Sequence, residues 1–200
     1  MFYLRIKNTL FIRIYRLFYK RKFKEFGEKS SVVFPLKING MSNISVGNNV
    51  YIAYKTWLVA LPHTGDKNCL LEIGDGTVIG NFNHIYATKQ IIIGKNVLTA
   101  DKVYISDNQH EYEDILQPIL KQKIKQLNTV IIGDGTWLGE NVCVIGAKIG
   151  KNCVIGANSV VTRDIPKYSV AVGSPAKIIK RYCQDDKIWK ITNPDGTFKF

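Results

Sequence analysis

Three histidines, one of them set among carboxylates, are the side chains of this 200-residue chain best suited to proton chemistry. His110 stands in Ser106-Asp107-Asn108-Gln109-His110-Glu111-Tyr112-Glu113-Asp114. An imidazole with an unperturbed pKa of about 6.5 exchanges its proton at neutral pH, and a nearby carboxylate can orient the ring and stabilise its cation. Glu111, Asp107 and Asp114 are all candidates for that partner, and linear spacing does not choose among them. His84 lies in Phe82-Asn83-His84-Ile85, and His63 in the turn-rich Pro62-His63-Thr64-Gly65-Asp66. The three histidines form no close pair of the kind a three-His zinc site needs, so no metal is expected. Cys69, Cys143, Cys153 and Cys183 show no paired spacing. They read as reduced thiols of a cytoplasmic protein, Cys143 and Cys153 being small buried hydrophobes within strands.

What must position these residues is a repeat. Ile73-Gly74-Asp75-Gly76, Ile93-Gly94-Lys95-Asn96, Ile132-Gly133-Asp134-Gly135 and Ile149-Gly150-Lys151-Asn152 share one pattern. Between them an aliphatic or small residue returns every six positions: Ile73 and Ile79; Ile93, Thr99 and Ile105; Ile132, Leu138 and Val144; Ile149, Ile155 and Val161. Six is not a helical period. It fits a short strand followed by a turn, with Gly, Asn or Asp taking backbone angles that other residues resist. Three such units make a triangular coil, and stacked coils share one apolar core. Residues 108–128 break the period, and a long irregular loop on a regular scaffold is usually functional. The organisation expected is a basic arm at 1–26, a coiled β domain at 27–175 carrying the 108–128 loop, and a short helix with a tail at 176–200. For that last helix, Ser174-Pro175 reads as an N-cap and first turn, predicting a helix from Ala176 to about Lys190. Asn193-Pro194-Asp195-Gly196 reads as a turn.

The formal charge of +12 is unevenly placed. Residues 1–26 hold Arg5, Lys7, Arg13, Arg16, Lys20, Arg21, Lys22 and Lys24 against Glu25 alone, which is eight minus one, or +7. Ile6, Leu10, Ile14, Leu17 and Phe18 share one helical face, and Arg5, Arg13, Arg16 and Lys20 the opposite one; Lys7 does not fit this division. No apolar run is long enough to span a bilayer, and cations interrupt any signal-peptide core. A basic, greasy amphipathic helix suits the surface of an anionic membrane; packing against the coil or a second subunit is the alternative. Nucleic acid is not expected, because phosphate binding needs no greasy face.

The hexads, with Asn158-Ser159-Val160-Val161-Thr162-Arg163-Asp164-Ile165-Pro166 and Val172-Gly173-Ser174-Pro175-Ala176-Lys177, resemble the hexapeptide-repeat acyltransferases over roughly residues 44–182. Within that family the chain is most similar to O-acetyltransferases of lipopolysaccharide and capsular polysaccharide synthesis. The resemblance implies an all-β fold, a left-handed parallel β-helix, assembled as a homotrimer with each active site between subunits. It implies acetyl-CoA as acyl donor, a sugar or glycolipid acceptor, and His110 as the general base, with Glu111 beside it. Many relatives carry a His-x-His pair here; in this chain the first member is Asn108. By the same resemblance, Asn83, His84, Asn108 and Trp137 line the acceptor pocket. Trp137, Gly139, Ala157, Thr162, Arg163, Lys177 and Lys180 match positions along the CoA. The segment from Val142 to Gly150 is one residue shorter than is common in the family and lacks a Pro.

The function expected is direct acetyl transfer to a sugar hydroxyl of a surface-polysaccharide precursor, in the cytoplasm or peripherally on the inner face of the cytoplasmic membrane. An N-acetyltransferase of an amino sugar or a drug acetyltransferase on the same scaffold is the main alternative. A γ-carbonic-anhydrase-like metal enzyme and a non-catalytic binding protein are the others.

Overall fold

A computed structural model describes the backbone of residues 2–199 and the side chains of residues 7–199. The chain winds into a three-faced prism. Face I stacks the strands Glu25–Phe26, Ile44–Val46, Leu70–Ile73, Gln90–Ile93, Val130–Ile132 and Lys148–Ile149 in parallel. Face II stacks Ser31–Val32, Tyr51–Ile52, Val78–Ile79, Leu98–Thr99, Trp137–Leu138, Val154–Ile155 and Ser169–Val172. Face III stacks Lys37–Asn39, Trp57–Ala60, His84–Ala87, Tyr104–Ser106, Cys143–Ile145 and Val160–Val161. The first coil begins at Glu25, inside the segment read from sequence as the end of the arm.

The six-residue period is the inside of this prism. Ile73, Ile79, Ile93, Thr99, Ile105, Ile132, Leu138, Val144, Ile149, Ile155 and Val161 are all buried. The Ile-Gly-x-x phrase makes one corner. Its last residue takes positive φ in every copy, at 70° for Gly76, 52° for Asn96, 66° for Gly135 and 51° for Asn152, which is why only Gly and Asn occur there. Its first glycine meets the next coil: a Cβ on Gly133 would lie 2.4 Å from the backbone nitrogen of Lys151.

Two terminal elements complete the body. Helix α1 (Phe2–Tyr19) lies on the first coil. Phe11 stacks on Phe34 with ring centroids 3.8 Å apart, Tyr15 is buried, and Arg16 Nη1 donates to the carbonyls of Gly27 and Ser30 at 3.0 and 3.1 Å. The docked side is therefore not the predicted apolar stripe. Leu10, Ile14, Leu17 and Phe18 remain 47–71% exposed, while Arg16, expected on the polar face, anchors the helix. Arg5 and Ile6 of that prediction have side chains outside the described residues.

The expected C-terminal helix does not form. Lys177–Cys183 and Ile188–Ile191 are strands that extend face II antiparallel from Ser169–Val172. The final coil leaves face II with an open edge, and the β-branched and aromatic residues Ile178, Ile179 and Tyr182 favour covering it with a strand. Ile178 is buried in doing so. The turn at 193–196 forms as expected, with Gly196 N donating to Asn193 O at 2.9 Å.

Candidate active site

Residues 108–128 are a hairpin rather than an irregular loop. Asn108–His110 pairs antiparallel with Ile124–Gln126, and a single turn of 3₁₀ helix at Ile119–Lys121 closes the far end. Its root is a buried polar brace. Asp107 is fully buried, and its carboxylate accepts from the backbone N–H groups of Thr88, Lys89 and Gln90 at 2.8, 2.8 and 2.7 Å. Thr88 Oγ1 (3.0 Å) and Asn108 Nδ2 (3.2 Å) donate to it as well. Gln126 ties the second strand down: its Nε2 donates to Asp107 O at 2.7 Å, and its Oε1 accepts from the hydroxyls of Thr88 and Thr64 at 2.9 and 2.6 Å.

This brace removes one of the three carboxylates offered to His110. Asp107 faces backbone amides, so it is not free to hold an imidazole. Asp114 accepts from Leu116 N and Gln117 Nε2 within the hairpin. Glu111 is joined to Lys123 only through its backbone, and no hydrogen bond links its carboxylate to His110 among the described residues. His110 itself is exposed on the first strand of the hairpin. Strand alternation places it on the same side as Asn108, whose Nδ2 donates to Tyr86 O at 3.1 Å, and opposite Gln109.

Through that bond Asn108 meets the edge of face III. Its outer surface carries an aromatic column: Trp57 stacks on His84 with centroids 4.2 Å apart and planes 6° apart, and Tyr104 tilts against His84 at 5.3 Å. Burial holds the His84 imidazole below its usual pKa, and its Nε2, like Trp57 Nε1, is buried without a hydrogen-bond partner among the described residues. His63, from the loop after the second coil, bonds through Nδ1 to the Tyr86 hydroxyl. The structure thus brings His84 and His63 to one patch with Trp57, Tyr86 and Tyr104. Asn83 turns the other way. It is buried, donates to Thr99 Oγ1 at 2.6 Å and accepts from Val103 N, so it braces a coil corner and presents nothing to a sugar. Cys143 lies half-buried on this same outer surface rather than in the core, whereas Cys153 is inside; all four thiols are free.

The residues matched to CoA fall into two groups. Thr162, Arg163 and Lys177 line one cavity of about 560 Å³ with Pro175 and Ala176; Asp164 and Asp195 share its wall, each accepting a backbone N–H. A second cavity of about 410 Å³ lies between Gln109 and Gln126 of the hairpin and Thr162. Thr162 borders both cavities, and His110 lines neither. The other group is on face II. Trp137 points outward, 47% exposed, in one column with Val154, Val170 and Lys180. Gly139 and Ala157 stack at the adjoining corner. There a Cβ on Gly139 would lie 2.7 Å from Ala157 N, so coil packing alone requires that glycine.

One chain therefore does not unite the set. His110 stands beyond face III, and Trp137 and Lys180 stand on face II. Sequence reasoning passed over Trp57, Tyr86, Thr88 and Gln126. A six-residue period names what points inward and says nothing of which outward residues share a rung across coils. Among the described residues no three His, Cys, Asp or Glu side chains are grouped as metal ligands would be.

Comparison with known proteins places this arrangement. The family described as the hexapeptide repeat of succinyl-transferase matches residues 129–163. The lipopolysaccharide biosynthesis O-acetyl transferase WbbJ of Escherichia coli K12 is 34% identical over 164 residues, 78% of this chain and 81% of that protein. A probable acetyltransferase of Mycobacterium tuberculosis is 45% identical over 125 residues, 59% of this chain but only 41% of that longer protein. In fold, the chain is similar to the N-acyltransferase AntD of Bacillus cereus, solved with dTDP and 3-hydroxybutyryl-CoA, with a TM-score of 0.70 at 19% identity over 84% of this chain and 87% of that one. On the prism, its repeat and the extent of the match to WbbJ, the chain belongs to the hexapeptide-repeat acetyltransferases, enzymes built on a left-handed parallel β-helix.

Proposed function

We propose that the chain transfers an acetyl group from acetyl-CoA to a sugar hydroxyl of a lipopolysaccharide or capsule precursor, with His110 as general base. The observation that carries this reading is the pair of cavities that meet at Thr162, one against the braced hairpin that bears His110 and one lined by Arg163 and Lys177. Arg163 and Lys177 in the one suit the phosphates of CoA, and an exposed histidine on the hairpin beside the other suits proton removal. The relative WbbJ, named for lipopolysaccharide biosynthesis, supports the acceptor class, and the acyl-CoA bound by AntD supports the donor.

In this reading neutral His110 takes the proton as the sugar oxygen attacks the thioester carbonyl. The imidazolium then returns that proton to the departing sulfur, so the base is regenerated and no acyl-enzyme forms. Three further groups complete the assignment. His84 and Asn108 border the acceptor side, Glu111 stands next to the base, and Trp137, Gly139, Ala157 and Lys180 serve a donor held against a neighbouring copy. The separation of Trp137 from His110 within one chain supports a homotrimer whose sites lie between subunits. The exposed tip of the hairpin supports it too, with Ile115, Leu116 and Leu120 89–94% exposed. Helix α1, with its unburied apolar stripe and basic flank, holds the enzyme at the inner face of the cytoplasmic membrane, where lipid-linked acceptors would be met.

The test is incubation with acetyl-CoA and a panel of sugar nucleotides, amino sugars and glycolipids, following free thiol. His110→Ala should lower turnover at least about 100-fold, the usual contribution of a general base, with the oligomer intact. Turnover unchanged in that variant refutes the base, and release of thiol with amino sugars alone replaces O- with N-acetylation.

A further inference from the structure

Lys7 does not fit the division of the arm into an apolar and a basic face, and the structure gives it a place. Lys7 stands one heptad before Ile14, on the side of the exposed apolar stripe, and its Nζ lies 5.5 Å from the centroid of the Phe34 ring. Below it, between helix α1 and the corner joining faces II and III, is a cavity of about 530 Å³. Lys7, Asn8, Phe34, Tyr51, Tyr54 and Lys55 form most of its wall. Lys55 Nζ sits 5.3 Å from the Tyr54 ring centroid, so each ammonium is held against an aromatic face. No carboxylate lines the cavity, and neither lysine enters an ion pair among the described residues. Two like charges facing one concavity without a counter-ion repel each other, and an anion between them relieves that repulsion.

The corner is built at some cost. Phe34 and Lys55 both have positive φ, at 40° and 57°, and for a bulky side chain such as Phe34 that is an outlier. The same corner takes positive φ in the later coils too, at Phe82, Lys102, Asn141 and Asn158, so this conformation belongs to the coil and not to the cavity.

We propose that this cavity binds the phosphate of an anionic phospholipid, taken from the bilayer on which the apolar stripe of α1 rests. The two ammonium groups and the Tyr51 and Tyr54 hydroxyls meet the phosphate oxygens, and Val33 and Phe34 supply an apolar wall for the glycerol and upper acyl carbons. The proposal rests on the membrane role given to α1 and sharpens it. Lys55 belongs to the prism, so a generic attraction of the arm to negative lipid does not require it.

Full-length protein is sedimented with phosphatidylcholine vesicles, with and without phosphatidylglycerol. Lys55→Asn, which keeps a residue suited to positive φ, is compared with Lys29→Asn. Lys29 is an exposed lysine at another corner, with φ of 57°, that does not line the cavity. Wild type should bind only the anionic vesicles, Lys55→Asn about tenfold or more weaker, and Lys29→Asn within the roughly fivefold that one surface lysine contributes. Equal binding by wild type and Lys55→Asn, or equal losses in the two variants, overturns the pocket while leaving the arm on the membrane. Wild type that ignores anionic vesicles overturns both and leaves the acetyl-transfer reading untouched.

Discussion

The hairpin at 108–128 and helix α1 both hold large apolar side chains in water, and they differ in everything else. The hairpin is rooted by charge and amide: a buried Asp107 with five donors and Gln126 with four bonds. Its three lysines, Lys121, Lys123 and Lys125, are balanced by Glu111, Glu113 and Asp114, so its net charge is zero. Lys125 pairs with Glu113 at 2.7 Å, and that pairing holds the exposed Glu113 carboxyl down at about 2. Helix α1 is rooted by rings, Phe11 on Phe34 and Tyr15 in the core, with Arg16 as a clamp, and it belongs to a segment of charge +7. A neutral apolar tip suits another protein surface, where unbalanced charge would be desolvated. An apolar stripe flanked by cations suits anionic lipid. The same exposed leucines thus point to different partners according to the charges beside them.

The root of the hairpin is where that contrast breaks most severely. Asp107→Ala leaves three backbone N–H groups without their acceptor, a loss of about 3 kcal/mol or more. In a domain of this size that lowers Tm by roughly 10 °C, and the His110 strand is displaced, so acetyl transfer should fall with it. Asp107→Asn retains one acceptor oxygen and should lose less of both. Unchanged melting in Asp107→Ala would mean that the brace is not what sets the hairpin. The tip comes next. Replacing Ile115, Leu116 and Leu120 together with Gln should leave the monomer as stable as before, since these side chains touch little in one chain. Sedimentation should then show smaller species, because each side chain buried between subunits contributes about 1.5–3 kcal/mol. An unaltered assembly would free the tip for some other use.

Leu17→Gln with Phe18→Gln sharpens the other side. At 71% and 65% exposed, these residues contribute little to the fold. Melting and thiol release with soluble acceptors should stay within error of wild type, while co-sedimentation with anionic vesicles drops several-fold. A change in oligomer size instead would make the helix a subunit contact and erase the distinction drawn from charge.

The prism was legible because a buried position every six residues is a property of the chain alone, and every residue of that period lies in the core. The C-terminal strands were not. Ala176 to Lys190 contains good helix formers, and what overrides them is the open edge of face II, a tertiary fact. The hairpin was visible only as an interruption of the period. Its geometry depends on Thr88 and Thr64, residues twenty and more positions away that no spacing connects to it. Asn83 shows the opposite case: the family resemblance offered it as an acceptor contact, and the corner engages its side chain. Face III was the hardest to foresee, because Trp57, His84 and Tyr104 are neighbours only once consecutive coils are in register.

That column yields the mildest test. His84 Nε2 is buried with no partner among the described residues, and burial disfavours its charged form. The unfolded chain, with a histidine pKa near about 6.5, therefore takes up a proton more readily than the folded one. Stability is then fully present above that pH and falls as the pH drops below it, with a slope of less than about 1.4 kcal/mol per pH unit. His84→Phe keeps a ring to stack on Trp57 and removes the orphaned nitrogen. It should match or slightly exceed wild type at pH 7.5, and it should flatten the decline between pH 6.5 and pH 5 in thermal melts. If the decline is as steep in the Phe variant, other groups govern it and His84 is not the neutral, desolvated imidazole that its setting describes. If the flattening is seen while acetyl transfer at neutral pH is lost, His84 acts on the acceptor as well as in the stack. It would then share with the hairpin the work assigned above to His110.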